Sequence, residues 1–250
     1  AANWSNGYLP AFYQGTPLRP EGSPILDLKP PQGISAVRQR ANLDLLAKLN
    51  QRHAVEHPEH DELSARLESY ELAFRMQAIV PDLIDLSKES EKTKESYGIG
   101  QIETDDFGRR CLLARRMAER DVRCIQLFHM GWDHHGGLPN AVKGQCRDTD
   151  QPTAALIADL RQRGLLDDTL IVWGGEFGRQ PTAEYAQGTG RDHNSYGFTM
   201  WLAGGGVKGP MASVVIHGGL HGTLRMRSGQ NSAQPAAQSR QGTVTYEIVG

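Results

Sequence analysis

The sequence predicts an α/β fold with a mostly parallel, doubly wound sheet, because helical and strand patterns alternate in the middle of the chain. Apolar residues at helical spacing over about 105–120 lead into a short apolar run at 122–128. A second helical pattern, from about Pro152, leads into the continuous apolar run 169–173, which is typical of a strand buried on both faces. The run 198–203 predicts a third strand. This order implies right-handed crossovers between parallel strands.

Composition restricts the possible partners. The 250 residues carry 27 Lys and Arg against 29 Asp and Glu, for a net charge of −2, so no nucleic-acid partner is expected. No apolar stretch approaches the roughly 18 residues of a membrane helix, and the first residues lack the features of a signal peptide. The three cysteines have no C-x-x-C spacing, which favours free thiols; one bridge from Cys124 to Cys111 or Cys146 is the alternative.

The N-terminal part differs from the rest. Six prolines within residues 1–34 predict an extended segment rather than a helix. A helical insert follows over 35–97, with a second helix from about Asp61 that Pro81 is expected to end. The polar stretch 52–60 contains three histidines, and we interpret it as a solvated loop rather than a metal site.

Polar loops follow the predicted strands, and in open α/β sheets ligands bind beyond the carboxyl ends of the strands. The loops 129–137, 174–179 and 190–194 each offer a carboxylate or an imidazole together with glycines. Side chains alternate along extended chain, so Asp133 and His135 are expected to point the same way.

Four side chains of these loops form the predicted metal-ligand set: Asp133, His135, Glu176 and His193. This nitrogen and oxygen donor set suits zinc first and manganese or iron next, with calcium as the poorest fit among divalent metals. No short metal signature is present, so hydrogen-bonded polar loops or a histidine–carboxylate acid–base pair are the alternatives. Arg179 and Arg191 are candidates to bind an anionic substrate, with exposed or ion-paired arginines as the alternative.

Five ordered motifs carry a family resemblance. They are Trp4–Ala11 with Tyr13–Thr16, Tyr70–Gln77, Gly131–His135, Trp173–Arg179 and Gly190–His193. Together they resemble the domain-of-unknown-function 1501 family, a group of bacterial proteins related to the alkaline phosphatase and sulfatase superfamily. The resemblance runs from residue 3 to about residue 209. It implies an alkaline-phosphatase-like α/β/α sandwich, a metal-dependent hydrolase ancestry and export from the cytoplasm, for example to the periplasm.

The resemblance also assigns roles. Asp133 and His135 match the ligand pair of the first loop, and His193 matches a later histidine ligand. Glu176 stands where the superfamily has an Asp followed by a His. Phe177 replaces that histidine, so one of the two metal sites is expected to be altered or absent.

Both ends of the chain depart from the family pattern. Family members begin with an apolar strand and a Gly-Gly-x-Ser-x-x-Asp-like segment that holds the nucleophile, and nothing similar precedes Trp4. The expectation is therefore an α/β domain over 1–209 that lacks its N-terminal strand, and no catalytic nucleophile is assigned. Residues 210–250 are predicted to form an irregular, truncated or frame-shifted tail that is poorly folded.

The resemblance implies a metal-dependent hydrolase of phosphate or sulfate esters, acting on a small-molecule or glycan ester and inactive as a fragment. The alternative is a non-catalytic binding or export-associated protein that keeps the fold and has lost the chemistry. Phe177 favours this alternative.

Overall fold

The structure, a computed structural model, describes residues 15–18, 25, 32–57, 61–175, 177–183, 188–207 and 212–217. The chain divides into two compact units, residues 1–90 and residues 91–250. Most of the predicted extended segment 1–34 lies outside the described residues. In the part of the chain that is described, no helix is both long and apolar enough to cross a membrane.

The first unit contains two long helices, α1 (Ala36–Glu56) and α2 (Asp61–Ile84), followed by a short 3₁₀ helix (Leu86–Lys88). Ser35 is the N-cap of α1, and its hydroxyl accepts a hydrogen bond from the Arg38 backbone N–H at 3.2 Å. The Arg40 guanidinium joins the two helices by donating to Glu71 at 2.8 and 2.5 Å. Because α1 begins directly after Ser35, the predicted start of the first helix is confirmed.

Two predicted features of this unit are wrong. Helix α1 continues to Glu56 instead of ending before the polar stretch 52–60, and the ring centroids of His53 and His57 lie 4.4 Å apart. Helix α2 runs through Pro81 to its last residue, Ile84. The proline lies in the last turn, where it removes a single backbone hydrogen bond, and this explains why the helix tolerates it.

The second unit begins with three helices, α3 (Glu91–Ser96), α4 (Asp105–Ala118) and α5 (Leu138–Gln162). Helix α4 buries Phe107, Cys111 and Ala114, as its apolar spacing predicts. Helix α5 begins well before the predicted start at Pro152, because Pro139 occupies the first turn and Pro152 lies inside the helix.

A buried polar network joins these helices. Arg115 on α4 is only 2% exposed, and its guanidinium pairs with Asp159 on α5 at 3.1 Å and with Glu119 at 2.6 Å. The Tyr97 hydroxyl donates to the same Asp159 carboxylate at 3.0 Å. The partly exposed Arg163 side chain also pairs with Asp159, at 2.7 Å. These charges are buried but compensated, as a folded interior requires.

The sheet contains three strands in the order β1–β4–β5, where β1 is Leu170–Trp173, β4 is Gly197–Gly204 and β5 is Ala212–His217. Two further strands, β2 (Gly178–Arg179) and β3 (His193–Asn194), form a separate small ladder. All these ladders are antiparallel. The mixture of helices and sheet agrees with a coarse α/β class.

The mostly parallel sheet is not found among the described strands. A parallel pairing needs a crossover, usually a helix, whereas the described part of 174–196 contains only the small β2–β3 ladder. The chain therefore returns beside β1 in the opposite direction. Strand β1 is half-buried rather than buried on both faces.

Two further segments differ from their predictions. Residues 122–128 form neither a helix nor a strand and pair with no described strand, and Val122 is 42% exposed, so the predicted strand is not formed there. At the start of the predicted irregular tail, β5 pairs with β4. The rest of that tail lies outside the described residues.

Candidate metal centre

The predicted ligands Asp133, His135 and His193 lie together in the second unit. The Asp133 Oδ1 atom is 3.0 Å from His135 Nε2 and 3.0 Å from His193 Nε2. The two imidazole nitrogens are themselves 3.0 Å apart. These three side chains, called the Asp133 cluster below, therefore offer three ligand atoms at nearly equal separations.

The segment between α4 and α5 supplies two of the three members. Its Asp133 and His135 side chains converge, as the alternation of side chains along extended chain predicts. Their backbone is held in place by the segment before β3, because the Arg191 N–H donates to the His134 carbonyl at 3.0 Å. The Thr189 hydroxyl accepts from the Gly137 N–H at 2.7 Å, next to the start of α5.

The β2–β3 ladder supplies the third member and an arginine. Arg179 and His193 are direct partners in this antiparallel ladder. Their side chains are therefore neighbours, and both contact Asp133. Arg179 Nη1 donates to Asp133 Oδ1 at 2.5 Å. The register of a two-residue ladder thus decides which cation and which imidazole meet at this carboxylate.

A close backbone approach brings the two segments together at Gly190. A Cβ atom at this position would lie 2.0 Å from the His135 carbonyl carbon and 2.2 Å from its oxygen. Only glycine fits this approach, because no side chain can be placed so close to backbone. Gly190 is a site residue that the sequence interpretation did not single out, although it stands at the start of one of the quoted motifs.

The spacing of the Asp133 cluster fits a shared cation. Ligand atoms that bind one ion at about 2.0–2.2 Å lie roughly 3–3.5 Å apart, depending on the coordination geometry, and the separations of 3.0 Å are at the short end of this range. A neutral imidazole nitrogen carries either one hydrogen or one lone pair along a single direction, so linear hydrogen bonds cannot join all three atoms of such a triangle. A cation can be contacted by all three lone pairs at once, and the two histidines and one aspartate are suitable metal ligands.

Solvent reaches the cluster. The exposed fraction of the side chain is 56% for Asp133, 42% for His193 and 33% for His135. Closed structural metal sites have four protein ligands, whereas catalytic sites leave a coordination position open for water or substrate. The exposure of the Asp133 cluster leaves space for water or a small molecule beside its three ligand atoms.

The charges around Asp133 keep it ionised. Its hydrogen bond with His193, followed by that with Arg179, lowers the pKa of Asp133 to about 2. The carboxylate is therefore negatively charged, as a metal ligand must be, throughout the physiological pH range.

The other predicted site residues have different placements. Glu176 lies outside the described residues. Its neighbour Phe177 packs against the cluster, with its ring centroid 4.5 Å from that of His193, and the Arg179 guanidinium lies 5.5 Å from the Phe177 ring centroid. The Arg191 side chain donates to the adjacent Gly190 carbonyl at 2.7 Å rather than to a member of the cluster.

A family model described as a protein of unknown function, DUF1501, matches residues 1–214. The chain belongs to the DUF1501 family. No curated protein and no solved structure matches it. The Asp133 cluster, Arg179 and Gly190 of this DUF1501 protein all lie within the matched residues.

An aromatic group lies beside the cluster in the DUF1501 chain. Trp132 precedes Asp133, and its indole N–H donates to His129 Nδ1 at 3.0 Å. Because an indole N–H can only donate, Nδ1 is the acceptor and the neutral ring carries its hydrogen on Nε2, which is 3.6 Å from Asp148 Oδ2. Burial lowers the pKa of His129, and this effect outweighs the opposite effect of Asp148.

This arrangement predicts a pH-dependent stability. As the pH falls from about 7 to about 5, the unfolded chain binds a proton at the ordinary imidazole pKa of about 6.5, whereas folded His129 does so only at lower pH. Stability is therefore lost as the pH falls through this interval. The His129→Gln variant keeps an acceptor for Trp132 but cannot bind this proton. We expect its free energy of unfolding, measured by urea denaturation, to fall less between these two pH values than that of the wild type. Parallel curves of stability against pH would contradict this prediction.

Proposed function

We propose that this DUF1501 protein is a metal-dependent hydrolase of phosphate or sulfate esters, with a fold of the alkaline phosphatase and sulfatase superfamily. The observation that carries the proposal is the Asp133 cluster, in which two imidazole nitrogens and a carboxylate oxygen lie 3.0 Å from one another. A buried salt bridge or a helix cap would not require this convergence of three potential ligands.

A divalent ion held by the cluster would supply Lewis-acid polarisation of the ester and would activate the hydroxyl nucleophile that the superfamily uses. The chain supplies the ligands and the substrate position. Asp133 contributes a negatively charged oxygen, and the two histidines contribute imidazole nitrogens. The Arg179 guanidinium, next to the cluster, is suited to the oxygens of a phosphate or sulfate group, which it can contact with two N–H groups. The exposure of the cluster leaves room for a small-molecule or glycan ester.

Zinc is the metal we propose first, with manganese or iron next and calcium last, from the donor types alone. Glu176 is proposed as a further ligand. Its support is the neighbouring Phe177, whose ring packs on His193. Because Phe177 occupies this place, the proposal includes one metal ion and not the pair that the superfamily uses.

The superfamily assignment with its α/β/α sandwich belongs to the same proposal, and so does export to the periplasm. Their support is the set of sequence motifs, two of which, Gly131–His135 and Gly190–His193, meet in the Asp133 cluster.

The first experiment is elemental analysis of the purified chain, because it requires no nucleophile. We expect about one divalent ion per chain in the wild type and its loss in His193→Ala. His53→Ala, a histidine of the first unit, is the matched control and should keep the ion. Ester turnover is assayed separately, with p-nitrophenyl phosphate and p-nitrophenyl sulfate, in a form of the protein that includes a nucleophile segment of the family type.

The outcomes separate the two candidate functions. Ester turnover that is lost together with the metal in His193→Ala supports the hydrolase. Metal binding without turnover favours the alternative, a non-catalytic binding protein, which Phe177 against His193 also favours. A wild-type chain without metal, even after incubation with zinc or manganese, contradicts the proposed function.

A further inference from the structure

Arg179 occupies the same carboxylate oxygen that the proposed metal would need. Asp133 Oδ1 accepts from Arg179 Nη1 at 2.5 Å while lying 3.0 Å from each of the two imidazole nitrogens. Three nitrogen groups thus converge on one oxygen, and only one of them, the guanidinium, is a permanent cation.

A divalent ion and this guanidinium compete for the carboxylate. An ion bound to Asp133 Oδ1 would share this oxygen with the guanidinium, and two positive charges on the same oxygen repel each other even when solvent weakens the interaction. A single carboxylate carries one negative charge, so it does not compensate an arginine and a divalent ion together. Entry of the ion therefore favours a movement of the guanidinium away from Asp133.

The surroundings of Arg179 define where the guanidinium can go. Its backbone is fixed in β2 opposite His193, so the side chain can pivot but cannot leave the site. The guanidinium lies 5.5 Å from the centroid of the Phe177 ring, which provides a surface on which a displaced arginine can remain. From there its N–H groups would face an anion at the metal.

We propose that Arg179 is an internal counter-cation that occupies Asp133 until a divalent metal ion replaces it, and that the released guanidinium then binds the oxyanion. The inference rests on the proposed metal site of the hydrolase and adds a mechanism for loading it. Its thermodynamic consequence is positive coupling: an oxyanion that holds the released arginine raises the affinity for the metal, and the metal raises the affinity for the oxyanion by the same factor.

The test is a zinc titration of the metal-free chain against a chromophoric chelator, with and without excess inorganic sulfate. Without sulfate, we expect Arg179→Gln to bind zinc about tenfold more tightly than the wild type, because the competing cation is gone. Sulfate should raise the zinc affinity of the wild type about fivefold or more. In Arg179→Gln, sulfate should change it less than about twofold.

Arg109→Gln is the matched control, because Arg109 forms an exposed pair with Asp105 on α4 and does not contact the cluster. It should show the wild-type zinc affinity and the wild-type response to sulfate. Weaker zinc binding by Arg179→Gln without sulfate would overturn the inference, since Arg179 would then hold Asp133 in position for the metal. An equal sulfate response in Arg179→Gln and the wild type would also overturn it.

Failure of this inference and failure of the proposed function give different results. A wild-type chain that binds no zinc contradicts both. A wild-type chain that binds zinc, with an Arg179→Gln variant that binds it more weakly or responds equally to sulfate, contradicts the inference alone.

Discussion

Gly190→Ala is expected to weaken metal binding at the Asp133 cluster about 100-fold, a loss comparable to that of removing a group that orients a ligand. The new Cβ would meet the His135 backbone at 2.0–2.5 Å, so the segment that carries His193 must move away from the one that carries Asp133 and His135. A metal site requires its ligands to be held within about 0.5 Å of their positions. Elemental analysis and zinc titration of the variant measure the effect.

Gly136→Ala is the matched control for this prediction. Gly136 also adjoins His135, but a Cβ atom there has nothing within 4 Å among the described residues. We therefore expect its zinc affinity to stay within about twofold of the wild type. Far-UV circular dichroism should show both variants to be folded. Full metal binding by a folded Gly190→Ala chain would show that the close approach is not what assembles the cluster.

Arg115→Met is expected to lower the free energy of unfolding by about 3 kcal/mol. Arg115 is 2% exposed, and its removal leaves the largely buried Asp159 carboxylate with Tyr97 and Arg163 as its partners among the described residues. These remaining partners are the reason for an effect at the lower end of the range for broken buried pairs. Three of the four tryptophans, Trp132, Trp173 and Trp201, lie in the second unit, so their fluorescence reports urea denaturation there.

Arg109→Met on the same helix is the control for the buried network. Its pair with Asp105 has the same four-residue spacing, but the Arg109 side chain is 51% exposed. Water and salt weaken such a pair, and the expected loss is below about 1 kcal/mol. Equal losses for the two variants would mean that burial of Arg115 adds nothing to the strength of its interactions.

Features that depend on neighbouring residues could be predicted from the sequence. The start of α1 follows from the Ser35 cap, and α4 follows from the spacing of Phe107, Cys111 and Ala114. Misplaced boundaries also have local causes. Two prolines compete as the first-turn residue of α5, and only the structure shows that Pro139, rather than Pro152, holds that place.

Features that depend on distant partners could not be predicted from the sequence. Apolar composition makes 122–128 a suitable strand, but a strand exists only with a partner, and no described strand pairs with it. The direction of the β1–β4 pairing depends on whether the connection crosses over, which the apolar pattern of a strand does not encode.

The candidate site shows the same division. Side-chain alternation was enough to place Asp133 beside His135, since the two residues are close in the sequence. The contact of Arg179 with Asp133 depends on the register of the β2–β3 ladder, and the need for glycine at 190 depends on the backbone of residue 135. Neither relation can be read from a single sequence.

The members of the Asp133 cluster are distant in the chain, since His193 lies 58 residues from His135 and 60 from Asp133. An ion held by all three would act as a reversible cross-link that closes a loop of this length, as a disulfide does, but one that a chelator removes. Since such an ion would bind the folded chain and not the separated segments, its concentration would set the free energy of unfolding. The metal would then stabilise the fold as well as take part in its chemistry.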